Sequence, residues 1–303
     1  MSVDAVLIAG PTASGKSVAA LALAERVGGI VINTDSMQVY REARILTARP
    51  SADDEARVAH MLYGHVGVDE TYSVARYQAD AADAFEAARE HKRLPIFVGG
   101  TGLYFGALVD GLADIPAVPV EIRAQAKARR DEVGPEAFHA ELAARDPEMA
   151  SRLRASDAQR VLRAYEVFAA TERPLSEWQR AKPIPGPLAG LSLARVVIAP
   201  ERAELHRRID RRFDAMLEAG ALDEAASLTG LDPARPAAKI LGLRELQAVR
   251  AGTMSLEDAR TAAQAATRQY AKRQFTWFRN RMADWAKTDM SGNFLTEFLS
   301  QLI

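Results

Sequence analysis

The chain contains no cysteine, which excludes disulfides and thiolate-bound zinc and suits a reducing, cytoplasmic setting. No apolar run approaches the roughly 20 residues needed to cross a bilayer, and the N-terminus lacks a secretory signal's charged and apolar regions. A membrane is therefore not an expected partner. The five histidines (His60, His65, His91, His139 and His206) fall at no metal-ligand spacing. Internal repeats and low-complexity tails are missing too, and nothing demands more than a monomer. Net charge is only −1, which as an average gives no pull toward nucleic acid. What the chain does have is bulk. Its 303 residues, 48% of them hydrophobic, suffice for a large core and about two domains.

One stretch organises the rest. Gly10-Pro11-Thr12-Ala13-Ser14-Gly15-Lys16-Ser17 fits the phosphate-loop pattern G-x-x-x-x-G-K-[ST] at every fixed position. Before it, Ala5 to Ala9 is an apolar run of the length of a buried strand. After it, Val18 to Glu25 is rich in helix formers. The glycines let the backbone bend until successive N–H groups converge on an oxyanion. The helix N-terminus adds partial positive charge, Lys16 a full one, and Ser17 can ligate Mg²⁺. A di- or triphosphate is the expected ligand, and the loop does not say which.

Ile30 to Ile32 reads as a second buried strand, closing on Asn33-Thr34-Asp35-Ser36-Met37-Gln38. Ligands of open parallel sheets lie beyond the carboxyl ends of strands, so Asp35 is expected in the same crevice as the loop. It suits a helix cap, a Mg²⁺ ligand or a general base, and position alone favours the cap. Asn33 and Gln38 suit either crevice lining or loop hydrogen bonding. Residues 41–72 give no clear elements. Val74 to Glu90 has the periodicity of an amphipathic helix. Leu94 to Val98 reads as a strand ending in Gly99-Gly100-Thr101-Gly102, which brings Thr101 to the crevice as well.

Strands alternating with helices predict a doubly wound α/β core. The alternation stops at residues 111–119 and resumes after residues 182–190, with a strand at Ala194 to Ile198. Both joins are rich in proline and glycine, and everything between them is helical in pattern. The expectation is an α/β core of residues 1–115 and 188–303 with a helical insertion at 116–187.

The near-zero charge hides asymmetry. The tracts Arg123 to Arg130, Arg152 to Arg163, Arg202 to Arg212 and Arg268 to Arg281 are strongly basic, while acids gather elsewhere. In the helix opening at Asp157, Val161, Leu162, Tyr165 and Phe168 are spaced for packing, leaving Gln159, Arg160 and Arg163 with polar ends to spare. Taken alone, such arginines, Arg123 included, form a solvated face. Near the C-terminus, cations alternate with Tyr270, Phe275, Trp277 and Phe278, a pattern suited to phosphate contacts and base stacking. Aromatics at helical spacing are more often core, and Phe275 and Phe278 are expected there.

Four separated pieces together resemble one family, the bacterial tRNA dimethylallyltransferases, or tRNA isopentenyltransferases. They are Gly10 to Ser17, the Asp35-Ser36 turn running on to Tyr40, Val98 to Thr101 with Leu103 to Phe105, and Ala266 to Gln269 continuing through Lys272-Arg273-Gln274 to Trp277. The likeness spans nearly the whole chain. It implies a kinase-like P-loop parallel-sheet core with an all-helical insertion domain. It also implies transfer of a dimethylallyl group from dimethylallyl diphosphate to N6 of the adenosine 3′-adjacent to the anticodon, in tRNAs reading codons that begin with U.

The resemblance implies roles as well. Asp35 becomes the base that takes the N6 proton, rising above the cap. Residues Gly10 to Ser17 hold the diphosphate, with Mg²⁺ on Ser17. Lys16, Thr101 and Arg212 absorb the charge that grows on the leaving group. Asp35, Ser36, Met37, Gln38 and Thr101 touch the flipped-out nucleotide and its neighbours, while Gln159, Arg160, Val161, Leu162 and Arg163, with Arg123, hold the anticodon stem-loop.

Three stretches depart from the family's pattern. Leu46-Thr47-Ala48-Arg49-Pro50 stands where Gly-Thr-Ala-Lys-Pro is usual, Ala59-His60-Met61 where His-His-Leu often follows, and Gly242-Leu243-Arg244 for Gly-Tyr-Arg. None of them carries a residue assigned to chemistry. Two rival readings share parts of the pattern. A nucleotide or metabolite kinase would share the loop but would not need the cationic tracts. A nucleotide-regulated RNA-binding protein without catalysis would not require Asp35.

Overall fold

A computed structural model of the chain describes residues 3–289. Six strands form one parallel sheet: Ala5–Ala9 (β1), Ile30–Asn33 (β2), His60–Met61 (β3), Pro95–Gly99 (β4), Leu193–Ile198 (β5) and Ala286–Thr288 (β6). Their order across the sheet is β3-β2-β4-β1-β5-β6. Sheets of this kind are covered on both faces, so β1, β2 and β4 are buried at every position and read as unbroken apolar runs. Successive side chains still alternate between faces. Leu7, Ile32 and Phe97 enter one apolar cluster, and Val6, Ile8, Val31 and Val98 the other.

Helices close both faces. Lys16–Val27 (α1) lays Ala19, Ala20, Leu23 and Ala24 on the second cluster. Ala52–Arg57 (α2) is a short surface helix started by a capping box between Ser51 and Asp54. Val74–Glu90 (α3) covers the first face with Tyr77, Ala81, Ala84 and Phe85, beside Gly102–Val109 (α4).

β1 lies between β4 and β5, so the chain leaving β1 passes over the place of β4 to reach β2. Ligands of such sheets bind beyond the strand ends where the order reverses. The turns that follow β1, β2 and β4 carry Gly10 to Ser17, Thr34 to Gln38, and Gly100 with Thr101.

Residues Asp110–Gly186 form a second compact unit. Its helices are Val120–Ala143 (α5), Pro147–Arg152 (α6), Ala158–Thr171 (α7) and Leu175–Arg180 (α8). Gly134, at φ 79° and ψ 167°, breaks α5 just before Pro135. Val118, Phe138, Leu142, Met149, Val161, Ala164, Val167 and Leu175 make its core. Asp146, fully buried, accepts the Met149 N–H at 3.0 Å as the cap of α6 and the Ser176 N–H at 2.9 Å. The unit includes the first proline-rich join and the second as far as Gly186, and Leu112 and Ile184 exchange backbone hydrogen bonds of 3.1 and 2.8 Å there.

Arg202–Glu218 (α9), Ala221–Ser227 (α10), Leu243–Arg250 (α11) and Leu256–Arg281 (α12) return to the sheet unit. They add Phe213, Met216, Ala225, Leu243, Leu246, Ala259, Ala263 and Phe278 to the first cluster. α12 stops at Arg281, and the chain then supplies β6 beside β5. No helix among the described residues is long and apolar enough to cross a membrane.

Candidate active site

The loop between β1 and α1 is a cation-lined cradle. Gly15 precedes the helix at φ 94°, a left-handed conformation that leaves the N–H groups at the start of α1 facing outward. The Lys16 side chain is buried, and its Nζ donates to the Pro11 carbonyl at 3.2 Å. Burial lowers the ammonium to about 8; nearby Asp35 pushes it back up, and Arg212 adds to the fall. Arg212, reaching in from α9, donates through Nη2 to the Thr12 hydroxyl. Desolvation lowers its guanidinium to about 10, again opposed by Asp35. Arg208 adds a bond from Nη1 to the Ser14 carbonyl at 3.3 Å. Two desolvated cations side by side are costly unless an anion joins them. The Ser14 hydroxyl is buried without a partner, and Ser17 stands exposed in the same cleft as Asp35.

The turns after β2 and β4 are locked together next to this cradle. Asn33 is fully buried; its Nδ2 donates to the Asp35 carbonyl at 2.9 Å and the Leu62 carbonyl at 3.0 Å, while its Oδ1 accepts the Asp35 N–H at 2.8 Å. Asn33 thus shapes the turn instead of lining the crevice. Asp35 Oδ1 accepts the Met37 N–H at 3.0 Å, so a local turn bond occupies one carboxylate oxygen. Thr101 Oγ1 accepts the Ser36 N–H at 2.9 Å. The glycines around Thr101 are forced by close approach. A methyl on Gly99 would lie 2.0 Å from the Thr34 carbonyl oxygen, and one on Gly102 would lie 2.0 Å from Trp277.

Beyond the cradle lies a pocket with an apolar wall, to which Thr267 and Tyr270 add polar groups. Met37, Leu46, Ile209, Phe213, Met216, Ile240 and Leu241 line it. Thr12, Asp35, Thr47 and Arg212 belong to both cavities, so the carboxylate stands where the cation-lined cradle meets the second pocket. One wall is the 45–48 turn. Glu224 of α10 fixes it by accepting the Ile45 and Leu46 N–H groups at 2.7 and 2.8 Å. Gln38 lines the cradle and also binds this turn, donating to the carbonyls of Thr47 (2.9 Å) and Ala48 (2.8 Å).

The sequence-predicted residues of the second unit divide into two kinds. Gln159, Arg160 and Arg163 line an open pocket with Met149, Asp157, Leu175 and Gln179. Val161, only 2% exposed, and Leu162 pack into the unit's core, so their side chains support that surface without presenting to it. Arg123 is exposed and near enough to Arg163 and Glu166 to act on both electrostatically. Burial lowers the Arg163 guanidinium and raises the Glu166 carboxyl.

In the sheet unit, Arg202, His206, Arg268, Lys272, Phe275 and Arg279 line a cationic groove between α9 and α12. Phe278 is core, as its spacing predicts. Phe275 is half-buried: it packs against the small cluster of Leu205, Ile209 and Ala271 and also lines the groove. The basic tract of α9 is tempered by its own acids: Glu204 pairs with Arg207, Arg208 and Arg211, and Asp210 with Arg268.

Sequence reasoning gave no role to Thr47, Glu224 or the side chain of Gln274. Glu224 and Gln274 act through contacts far away in sequence, Thr47 bonds only residues nearby, and none sits in a pattern that states its chemistry alone.

Known proteins resemble this chain along almost its full length. A family model described as IPP transferase matches residues 38–281, and one described as isopentenyl transferase matches residues 3–65. A tRNA dimethylallyltransferase of Parvibaculum lavamentivorans is 53% identical over 300 residues, covering 98% of this chain and 95% of the relative. One from Azorhizobium caulinodans is 54% identical, covering 93% and 91%. Among solved structures, the full-length tRNA isopentenylpyrophosphate transferase of Bacillus halodurans superposes with a TM-score of 0.67 at 34% identity, covering 98% of this chain and 93% of the other. A eukaryotic dimethylallyltransferase acting on tRNA gives a TM-score of 0.77 at 29% identity, covering 90% of this chain and 69% of that one.

Proposed function

This chain belongs to the IPP transferase family, and from that premise we infer its reaction. It transfers a dimethylallyl group from dimethylallyl diphosphate to N6 of the adenosine 3′-adjacent to the anticodon in tRNAs that read codons beginning with U, releasing diphosphate. The observation that carries this reading is the shared edge of the two cavities, where Asp35 lies between a phosphate cradle and a pocket with an apolar wall. A kinase would need only the first of these. A non-catalytic RNA-binding protein would need neither the pocket nor the carboxylate.

The proposed chemistry uses that edge. The N6 nitrogen forms a bond to the terminal allylic carbon as that carbon's bond to diphosphate oxygen breaks. Asp35 takes the N6 proton; a positioned base of this kind contributes about 10²- to 10⁴-fold. Negative charge grows on the leaving oxygen, toward which Lys16, Arg212 and the loop N–H groups are directed in this reading; Thr101, whose hydroxyl donates to Ser36 Oγ at 3.2 Å, would have to turn to join them. The apolar walls exclude water that would otherwise capture the allylic carbon.

We propose Mg²⁺ as the accompanying ion. Among the described residues no cluster of three or more His, Cys, Asp or Glu could hold a metal. An exposed serine hydroxyl in a phosphate cradle instead fits an ion that keeps waters and takes most of its oxygens from the substrate. When bound on Ser17, it would offset charge on the diphosphate.

For tRNA we propose two contact surfaces, one in each unit: Gln159, Arg160, Arg163 and Arg123 in the helical unit, and the groove of Arg202, Arg268, Lys272 and Arg279 in the other. The anticodon stem-loop is the part held, and the target base must leave its stack to reach Asp35. The acceptor fixes the proposed compartment as the cytoplasm, and a monomer suffices for every role assigned.

Purified protein incubated with dimethylallyl diphosphate, Mg²⁺ and tRNA should yield a prenylated adenosine on mass analysis of the nucleosides, and ATP should not substitute for the donor. Asp35→Ala should abolish transfer while leaving tRNA affinity within about threefold; unchanged turnover in that variant would remove the base from the mechanism.

A further inference from the structure

Gln274 has no place in the chemistry above, yet it is buried on α12, 5% exposed, with both ends of its carboxamide engaged. Its Oε1 accepts the Thr12 N–H at 2.9 Å, and its Nε2 donates to the Gly100 carbonyl at 2.8 Å. Thr12 belongs to the cradle, and Gly100 to the turn that presents Thr101. One planar amide therefore spans the two, alongside a longer backbone bond of 3.3 Å from the Gly10 N–H to the Gly99 carbonyl.

The base meets the same point. A methyl on Gly100 would lie 2.2 Å from Gln274 Nε2 and 3.2 Å from Asp35 Oδ2, so only glycine lets the amide and the carboxylate close in together. Oδ1 of Asp35 is already held by the Met37 N–H, leaving Oδ2 as the oxygen on the Gly100 side. Gln274 thus touches the frame of the phosphate site and the frame of the base at once.

Resting on the transfer reaction inferred above, we propose that Gln274 is a positioning residue that sets the separation between the leaving diphosphate and the Asp35 carboxylate. Bond making at N6 and bond breaking at the diphosphate oxygen occur at opposite ends of the same carbon, so both ends must be in register. A misplacement of about 1 Å can cost about 10²-fold in rate. Each substrate still finds its own contacts when the spacing slips, so the effect falls on turnover and spares binding.

Gln274→Met keeps the length and bulk of the side chain but loses both hydrogen bonds. Gln274→Glu keeps an acceptor for the Thr12 N–H and loses the donor to Gly100; it serves if the methionine variant folds poorly. Steady-state transfer is measured for both substrates, with turnover divided by the fraction of molecules that bind dimethylallyl diphosphate in a titration. The expected result is a loss of kcat of about 10- to 100-fold, with KM for donor and for tRNA within about threefold. A kcat loss of at least about fivefold that exceeds any change in either KM supports the proposal; a smaller loss, or an equal or larger KM change, overturns it. Absence of transfer by the unaltered protein would remove the proposed function itself. Normal transfer by the unaltered protein with undiminished turnover in the variants would remove the clamp alone.

Discussion

Arg212, in α9, donates to the hydroxyl of Thr12 in the phosphate loop, across 200 positions of sequence. The bond sets a guanidinium against the cradle, where Asp35 acts on it electrostatically, and in the proposed reaction its charge faces the leaving diphosphate. Arg212→Ala is expected to lower kcat by about 10²- to 10³-fold, the usual effect of removing one donor to a developing oxyanion. Arg212→Lys should recover only part of this, because an ammonium lacks the planar fork that spans hydroxyl and phosphate together. Single-turnover rates at saturating donor provide the check.

Lys16 gives the donor site a pH dependence of definite sign. In the free protein its ammonium titrates at about 8, against 10.5 in an open chain, because burial disfavours the charge. A bound diphosphate favours the charged form, so above this pH binding takes up a proton and weakens as the pH rises. Calorimetric titration with dimethylallyl diphosphate should show affinity falling by up to about tenfold per pH unit above about pH 8, with an observed heat that varies with buffer ionisation enthalpy in proportion to the protons taken up. The free protein should gain stability over the same window, since between about 8 and 10.5 the unfolded chain holds a proton that the folded one has released. Flat affinity across the window would mean that Lys16 does not meet the diphosphate.

Arg163 tests the helical unit. Its guanidinium is held over the pocket that Gln159 and Arg160 share, with Glu166 4.0 Å away. Arg163→Ala should weaken tRNA binding at every salt concentration and reduce the slope of log affinity against log salt by about 1. Donor affinity should not change. Filter binding across a salt series separates these outcomes.

Asp146 provides a prediction about stability alone. Each of its oxygens accepts a backbone N–H, from Met149 and from Ser176, in a fully buried setting. Asp146→Ala leaves two donors unsatisfied and removes the cap of α6, which should cost about 2–4 kcal/mol. Urea unfolding should show the loss, while binding of dimethylallyl diphosphate in the other unit persists at low denaturant.

The phosphate loop was legible in the sequence because every part of it is local: a strand, a glycine turn and a helix start within a few residues of one another. The buried strands β1, β2 and β4 were legible for the same reason. Residues 41–72 were not, since their elements are a two-residue strand and a six-residue helix, too short for any periodicity. β6 is likewise too short, at three residues. Phe275 packs against Leu205, Ile209 and Ala271 as its spacing predicts but is only half-buried, because spacing reports which face of a helix a residue occupies, not how fully that face is covered. Val161 and Leu162 have the opposite history. They carry the packing expected from their spacing, while the resemblance gave them a role at the surface. Gln274 was visible only as one letter of a motif. Its partners lie 262 and 174 positions away, and no pattern in the chain reports such distances.

The cradle is built on the loop after β1, but its guanidinium arrives with α9 and its carboxamide brace with α12. A nascent chain that has made only the glycine loop therefore lacks two of the groups that complete it until α12 has been made. In the proposed mechanism a chain cut short before α12 would keep the glycine loop, lack its carboxamide brace and transfer its donor poorly.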